Sequence, residues 1–204
     1  VLFPLGDIEK SEVRKIASEY GLITAEKKDS TGICFIGERH FKEFLTNYMP
    51  KEDGDIVDIS TGKVLGKHNG LMYYTIGQRK GLDIGGNKER LFVVGKDLAK
   101  NVLYVSLGDD NSYLLSDSCI IDSVNFNCDI RPEKCTAKFR YRAEEYPVIL
   151  EYLEDGKILV KYDNVQIKAV TPGQACVLYL DQLCLGGGII EEVRKNNEKL
   201  WYLL

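Results

Sequence analysis

The chain has 204 residues, 44% of them apolar and 28% charged, with a net charge of −4. That length accommodates one large or two to three small domains with a sizeable core. The composition is ordinary for a soluble globular protein, no apolar run approaches a membrane span, and the charge gives no global support for nucleic-acid binding, so an RNA partner would need local basic patches.

Six Cys stand at positions 34, 119, 128, 135, 176 and 184. None is paired in a Cys-x-x-Cys spacing, and His40 and His68 lie far apart, so a structural zinc site is not expected. The chain is long and poor in Cys for a disulfide scaffold and carries no secretory signal. Free thiols in a reducing cytoplasm are the expectation. The chain opens on Val1, and Phe3-Pro4-Leu5 begins mid-pattern, which reads as a piece of something longer.

In chain order, Glu9 to Tyr20 predicts a helix, with Val13, Ile16, Ala17 and Tyr20 on one apolar face. Asp7 is its expected N-cap, and Gly21 its stop. The stretch from Lys28 to Arg39 follows, with Cys34 between Gly32 and Gly37. A thiol in such a loop suits covalent chemistry, whereas a Cys between Ile33 and Phe35 taken alone reads as a small buried hydrophobe. A second helix is predicted from Arg39 to Tyr48, stopped by Pro50.

From Lys51 the pattern changes to short strands. Asp55 to Ile59, Lys63 to Gly66, Leu71 to Ile76, Leu91 to Lys96 and Val102 to Leu107 form a small central β domain. Within it, Arg79, Lys80, Lys88 and Arg90 surround a glycine-rich stretch that could meet phosphate or be a solvated loop. Further strands are predicted at Cys119 to Phe126, Cys135 to Arg142, Val148 to Leu153, Lys157 to Tyr162, Gln166 to Val170, Ala175 to Tyr179 and Leu183 to Ile190. Their regular spacing indicates a small closed barrel. Alternation would put Lys138, Arg140 and Arg142 on one face and Phe139 and Tyr141 on the other, giving a basic stripe or a plain wet face. Gly186-Gly187-Gly188 suggests a close backbone approach or a kink in a barrel strand.

The run Asp29 to Arg39 resembles the signature of the tRNA-specific 2-thiouridylases. Gly70 to Leu82, Thr171-Pro172-Gly173-Gln174 and Cys184 to Ile190 agree with that family, in its order. The resemblance implies an ATP-dependent enzyme that places sulfur on C2 of the wobble uridine of tRNA, with Cys34 as persulfide carrier and catalytic residue. It implies tRNA contacts at Arg140, Tyr141 and Gln174, with Arg79 and Lys80 as secondary candidates. ATP, with Mg²⁺, and a second catalytic Cys would belong to a part upstream of Val1, so this chain alone would be inactive. The expected partners are tRNA and a cysteine desulfurase or sulfur-relay protein, with no membrane.

The implied fold class is mainly β with a short helical N-terminal segment. Residues 1–49 would end an ATP-pyrophosphatase catalytic domain, 50–108 form the central β domain, and 109–204 form a tRNA-binding barrel resembling elongation-factor domain 2. The competing reading is a stand-alone RNA-binding barrel in which Cys34 is structural.

Overall fold

The computed structural model describes residues 2–28, 52–82, 84–85, 90–108 and 111–203. The Cys34 loop and the second predicted helix lie outside the described residues. The chain divides into two compact units, 1–50 and 51–204. Among the described residues no helix is long and apolar enough to cross a membrane.

In the first unit, α1 spans Lys10–Glu19. Its N-cap is Glu9, in extended conformation and without a side-chain cap bond, rather than the expected Asp7. The Leu5 carbonyl accepts the Ile8 N–H in a preceding turn, which carries Asp7 away from the cap position. At the other end the Leu22 N–H bonds the Ala17 carbonyl and the Gly21 N–H bonds that of Ser18, the paired closure of a Schellman motif. The predicted apolar stripe exists, but none of its residues is buried among the described ones.

The second unit holds all the strands among the described residues. A four-stranded sheet is built from β1 (Gly54–Asp58), β2 (Val64–His68), β3 (Leu91–Asp97) and β4 (Val102–Leu107). Its order is β2-β1-β4-β3, with β1 parallel to β4 and the other pairs antiparallel. The segment 71–76, predicted as a strand, is instead a 3-10 turn at Leu71–Tyr73 followed by extended chain. Gly70, at φ +126, turns the backbone out of the sheet, and the Tyr73 and Tyr74 N–H groups bond back to the Gly70 and Leu71 carbonyls.

The remaining strands are β5 (Leu115–Ser116), β6 (Ser118–Phe126), β7 (Lys134–Lys138), β8 (Tyr146–Tyr152), β9 (Ile158–Tyr162), β10 (Ile167–Lys168), β11 (Ala175–Leu180), β12 (Leu183–Lys195) and β13 (Glu198–Lys199). Six of them run β11-β7-β8-β9-β6-β12, and β12 pairs again with β11, which closes the barrel. Inward and outward residues alternate along β8 and β9, as a barrel wall requires. The expected strand 166–170 shrinks to two residues because Ala169 takes φ +58 and leaves the ladder.

Closure depends on the three glycines of β12. Gly186 and Gly187 face β6 on one side and β11 on the other. A Cβ on Gly187 would collide with the Cys176 carbonyl, and one on Gly188 would meet the Asp122 carbonyl at 2.6 Å. The barrel and the sheet share one apolar core running from Ile56, Val93 and Val105 to Ile121, Leu178 and Leu185.

Asp58 caps the β1–β2 turn, accepting from the Ser60 N–H (2.9 Å), the Ser60 hydroxyl (2.7 Å) and the Thr61 hydroxyl (2.9 Å). Burial pushes its pKa upward, but the Ser60 and Thr61 hydrogen bonds outweigh that and hold it below the ordinary value. A carboxylate with a depressed folded pKa contributes stability above its unfolded pKa and loses it as pH falls through the folded one. The advantage of the parent over Asp58→Asn in urea unfolding should therefore be full at neutral pH and narrow as pH drops below the carboxylate range. Separately, Gly187→Ala should destabilise the chain by about 1–3 kcal/mol through overpacking at the seam, measured by the same unfolding.

Candidate nucleic-acid interface

β7 ends at Lys138, four residues earlier than alternation suggests. Phe139 still points inward, buried and edge-on to Tyr162 at 4.9 Å between ring centroids. Beyond it the chain turns: the Ala143 N–H bonds the Arg140 carbonyl, and Arg142 takes φ +63. The expected basic stripe opposite an aromatic face is therefore corrected. Arg140, Tyr141 and Arg142 all lie exposed in the turn between β7 and β8, whatever their parity. Phe139 anchors that turn to the core.

Across the ladder, β11 pairs with β7, with Val177 opposite Lys138. The turn before β11 is Thr171-Pro172-Gly173-Gln174, closed by the Gln174 N–H on the Thr171 carbonyl at 3.3 Å. Pro at the second position and Gly at the third, here at φ +83, is the chemistry of a type II turn. Next to it, the Gly173 N–H and the Gln174 carbonyl both bond Ile190 of β12, fixing the turn to the barrel.

These two turns form a cleft of about 680 Å³ lined by Lys138, Arg140, Tyr141, Arg142, Gln174 and Tyr179. Three residues predicted for RNA contact, Arg140, Tyr141 and Gln174, thus meet in one place. Tyr141 is 86% exposed, with the Arg142 guanidinium 5.3 Å from its ring centre. Lys138 is tied down, its ammonium 3.2 Å from Glu145 and 5.4 Å from the Tyr179 ring centre. The Glu145 carboxyl, bonded by the Thr136 hydroxyl and then by Lys138, is held below its ordinary pKa and stays ionised. The Gln174 amide makes no hydrogen bond among the described residues. Sequence reasoning placed Lys138 on the basic stripe but missed its ion pair with Glu145 and its approach to Tyr179, since no local pattern marks the pairing of β7 with β11.

Arg79 and Lys80 follow Gly77 and Gln78 in the loop before β3. Their loop is pinned by reciprocal bonds, Gly77 N–H to the Val93 carbonyl (2.8 Å) and Val93 N–H to the Gln78 carbonyl (2.9 Å). A Cβ on Gly77 would sit 3.2 Å from that of Ala169, and the Ala169 carbonyl accepts from the Arg140 guanidinium at 3.4 Å. Both Arg79 and Lys80 are exposed and make no ion pair among the described residues. Lys88, from the same predicted cluster, lies outside the described residues.

Cys34 likewise lies outside the described residues. Lys27 and Lys28, which precede its loop, line a groove of about 320 Å³ with Lys10 and Arg14. The other five Cys are free. Cys119, Cys135 and Cys176 are buried. Burial pushes the Cys135 thiol up to about 11, and the contact with Cys119, reinforced by burial, pushes the Cys176 thiol up as well. Neither offers a thiolate near neutral pH. Among the described residues no cluster of His, Cys, Asp and Glu could hold a metal.

Fold and surface together define a closed-barrel protein that presents a basic, aromatic cleft between two of its barrel turns. Family models match along the chain: "tRNA methyl transferase HUP domain" at residues 1–38, "tRNA methyl transferase PRC-barrel domain" at 42–107 and "Aminomethyltransferase beta-barrel domain" at 116–190. Similar relatives include the tRNA-specific 2-thiouridylase MnmA of Mesoplasma florum, 55% identical over 94% of this chain and 53% of the relative. The MnmA of Geobacillus thermodenitrificans is 55% identical over all of this chain and 55% of the relative. That of Mycoplasmopsis synoviae is 50% identical over all of this chain and 54% of the relative. The chain belongs to the tRNA-specific 2-thiouridylase family. It spans about half the length of the curated relatives it matches.

Tyr141 is exposed and Gln174 only half-buried, neither in the core, so Tyr141→Ala and Gln174→Ala should unfold within about 0.5 kcal/mol of the parent. Phe139→Ala should lose about 3–5 kcal/mol, because it empties a core position. Denaturant melts of the three variants check this division between surface and anchor.

Proposed function

We propose that this chain provides the RNA-holding face and the sulfur-carrying cysteine of an enzyme that thiolates C2 of the wobble uridine in tRNA. The observation that supports it best is the gathering of Arg140, Tyr141 and Gln174 in one cleft, while the loop that carries Arg79 and Lys80 approaches Ala169, an Arg140 partner, at Gly77. Cations without carboxylate partners suit phosphate, an exposed tyrosine can stack on an unpaired base, and a free amide can read a base edge or phosphate. The names of the relatives, at 50–55% identity, point to the same substrate. The family-model descriptions speak of methyl transfer; the Cys-centred run from Asp29 to Arg39 favours sulfur chemistry, for which a thiol in that place has a use.

In this reading Cys34 holds sulfur as a persulfide. The terminal sulfur would form the bond to C2 while the C2–O bond breaks and the ATP-activated oxygen departs with AMP, and a second thiol would attack the Cys34 Sγ, breaking the S–S bond and leaving a disulfide. Lys27 and Lys28 lie close in sequence and favour the thiolate. The family resemblance adds activation of the uridine by ATP with Mg²⁺. The described residues do not fit that group: the sequence has no Ser-Gly-Gly-x-Asp-Ser loop and the described residues no metal cluster. ATP binding is therefore assigned to the part of the relatives that this chain does not span, and the 204 residues alone should not turn over. A cysteine desulfurase, directly or through a relay protein, is the proposed sulfur source, and the cytoplasm the proposed setting. The division at 1–49, 50–108 and 109–204 is kept as the functional one: chemistry, central domain, RNA-binding barrel.

The test separates binding from chemistry. In the intact protein, Cys34→Ser should abolish thiolation and leave tRNA affinity unchanged, whereas Arg140→Ala with Gln174→Ala should weaken tRNA binding by tenfold or more, about 1.4 kcal/mol. Normal thiolation by Cys34→Ser would refute the sulfur-carrier role and favour a plain RNA-binding barrel.

A further inference from the structure

The Lys96 side chain stands out because no described partner offsets its charge. It lies on β3 and lines a cleft of about 280 Å³ between the central sheet and the barrel. Its backbone N–H bonds the Tyr202 carbonyl at 2.8 Å, but its ammonium has no carboxylate partner among the described residues. The neighbouring Asp97 is already engaged, accepting the Lys100 N–H at 2.9 Å and lying 3.3 Å from the Lys100 ammonium. Burial alone depresses the Lys96 pKa below its ordinary value. A half-buried cation with no partner costs free energy, so a hydrophobic residue of similar length would serve the fold at least as well.

The walls around Lys96 show what would compensate that charge. Among the described residues they include Thr75 and Thr171 and no carboxylate. The Thr171 hydroxyl donates its only hydrogen to the Ala169 carbonyl at 3.0 Å, so the exposed Thr75 hydroxyl is the one left to donate at the cleft. An ammonium beside one donor hydroxyl, with no acid among the described lining residues, is a seat for a phosphate oxygen. Pro172 shares the wall and belongs to the turn that carries Gln174. The cleft therefore lies on the other side of that turn from the Arg140–Tyr141 cleft. We propose that Lys96 binds a backbone phosphate of the RNA held by Arg140, Tyr141 and Gln174, extending that interface across the Thr171–Gln174 turn to the junction of sheet and barrel. The inference rests on the RNA-binding reading and adds a site to it.

The experiment compares tRNA binding by the chain and its variants over a range of salt concentrations. Lys96→Met should melt at the parent's temperature or above, bind tRNA roughly threefold or more weaker at moderate salt, and lower the slope of log K against log[salt] by about one. Lys96→Arg should restore the slope. An unchanged slope for Lys96→Met alongside weakened Arg140→Ala would overturn the phosphate site and leave the interface standing. Unchanged binding in both would overturn the interface as well. A second readout needs no variant: the Lys96 ε-methylene NMR signal of the parent should move on adding tRNA. Movement with inorganic phosphate but not with tRNA would make the site one for a free anion and overturn the RNA assignment.

Discussion

Tyr202 sits where a side chain on Gly95 would have to be. A Cβ on that glycine would meet the Tyr202 Cβ and Cδ2 at 2.9 Å, so the bare backbone of β3 admits the ring. The tyrosine is 4% exposed, donates its hydroxyl to the Tyr113 carbonyl at 2.7 Å and accepts the Lys96 N–H on its own carbonyl at 2.8 Å. Burial pushes its phenol up to about 12, so it remains a hydrogen-bond donor throughout the neutral range. One residue thereby ties the edge of the central sheet to the segment that leads into the barrel. Because β3 also pins Gly77 and Gln78, the same contact sets where Arg79 and Lys80 stand relative to Ala169 and Arg140.

That constraint explains why motifs distant in sequence act as one face. Thr75 to Lys80, Arg140 to Arg142 and Thr171 to Gln174 each sit in a turn, and each turn is fixed by backbone bonds to a strand or by a buried anchor. Rigid turns on a closed barrel place side chains more reproducibly than free loops do. The cysteines divide along a similar line. Cys119, Cys135 and Cys176 fill the barrel interior as small apolar groups, and burial helps raise the pKa of Cys135 and Cys176.

Much of this was legible in the sequence. Period-two patterning gave the barrel strands, the glycine triplet marked the place of closest backbone approach, and the Thr171–Gln174 turn followed from Pro and Gly. What was not legible depends on tertiary geometry. Lys138, Arg140 and Arg142 alternate as a strand would, but the chain leaves the ladder at Lys138 because the β7–β8 hairpin must turn there to pair Ala137 with Tyr146. The apolar run from Leu71 has β-type residues, and Gly70 diverts it into a 3-10 turn. Asp7 is a good capping residue that a preceding turn carries out of position. Lys96 looks like any strand-end lysine until the cleft shows that nothing neutralises it.

The most direct test of a single composite face is amide hydrogen exchange of the chain with and without tRNA. The account predicts that tRNA protects segments 75–80, 138–145 and 171–179 together, with the same dependence on tRNA concentration. Protection confined to the barrel segments, with 75–80 exchanging as in the free chain, would contradict it.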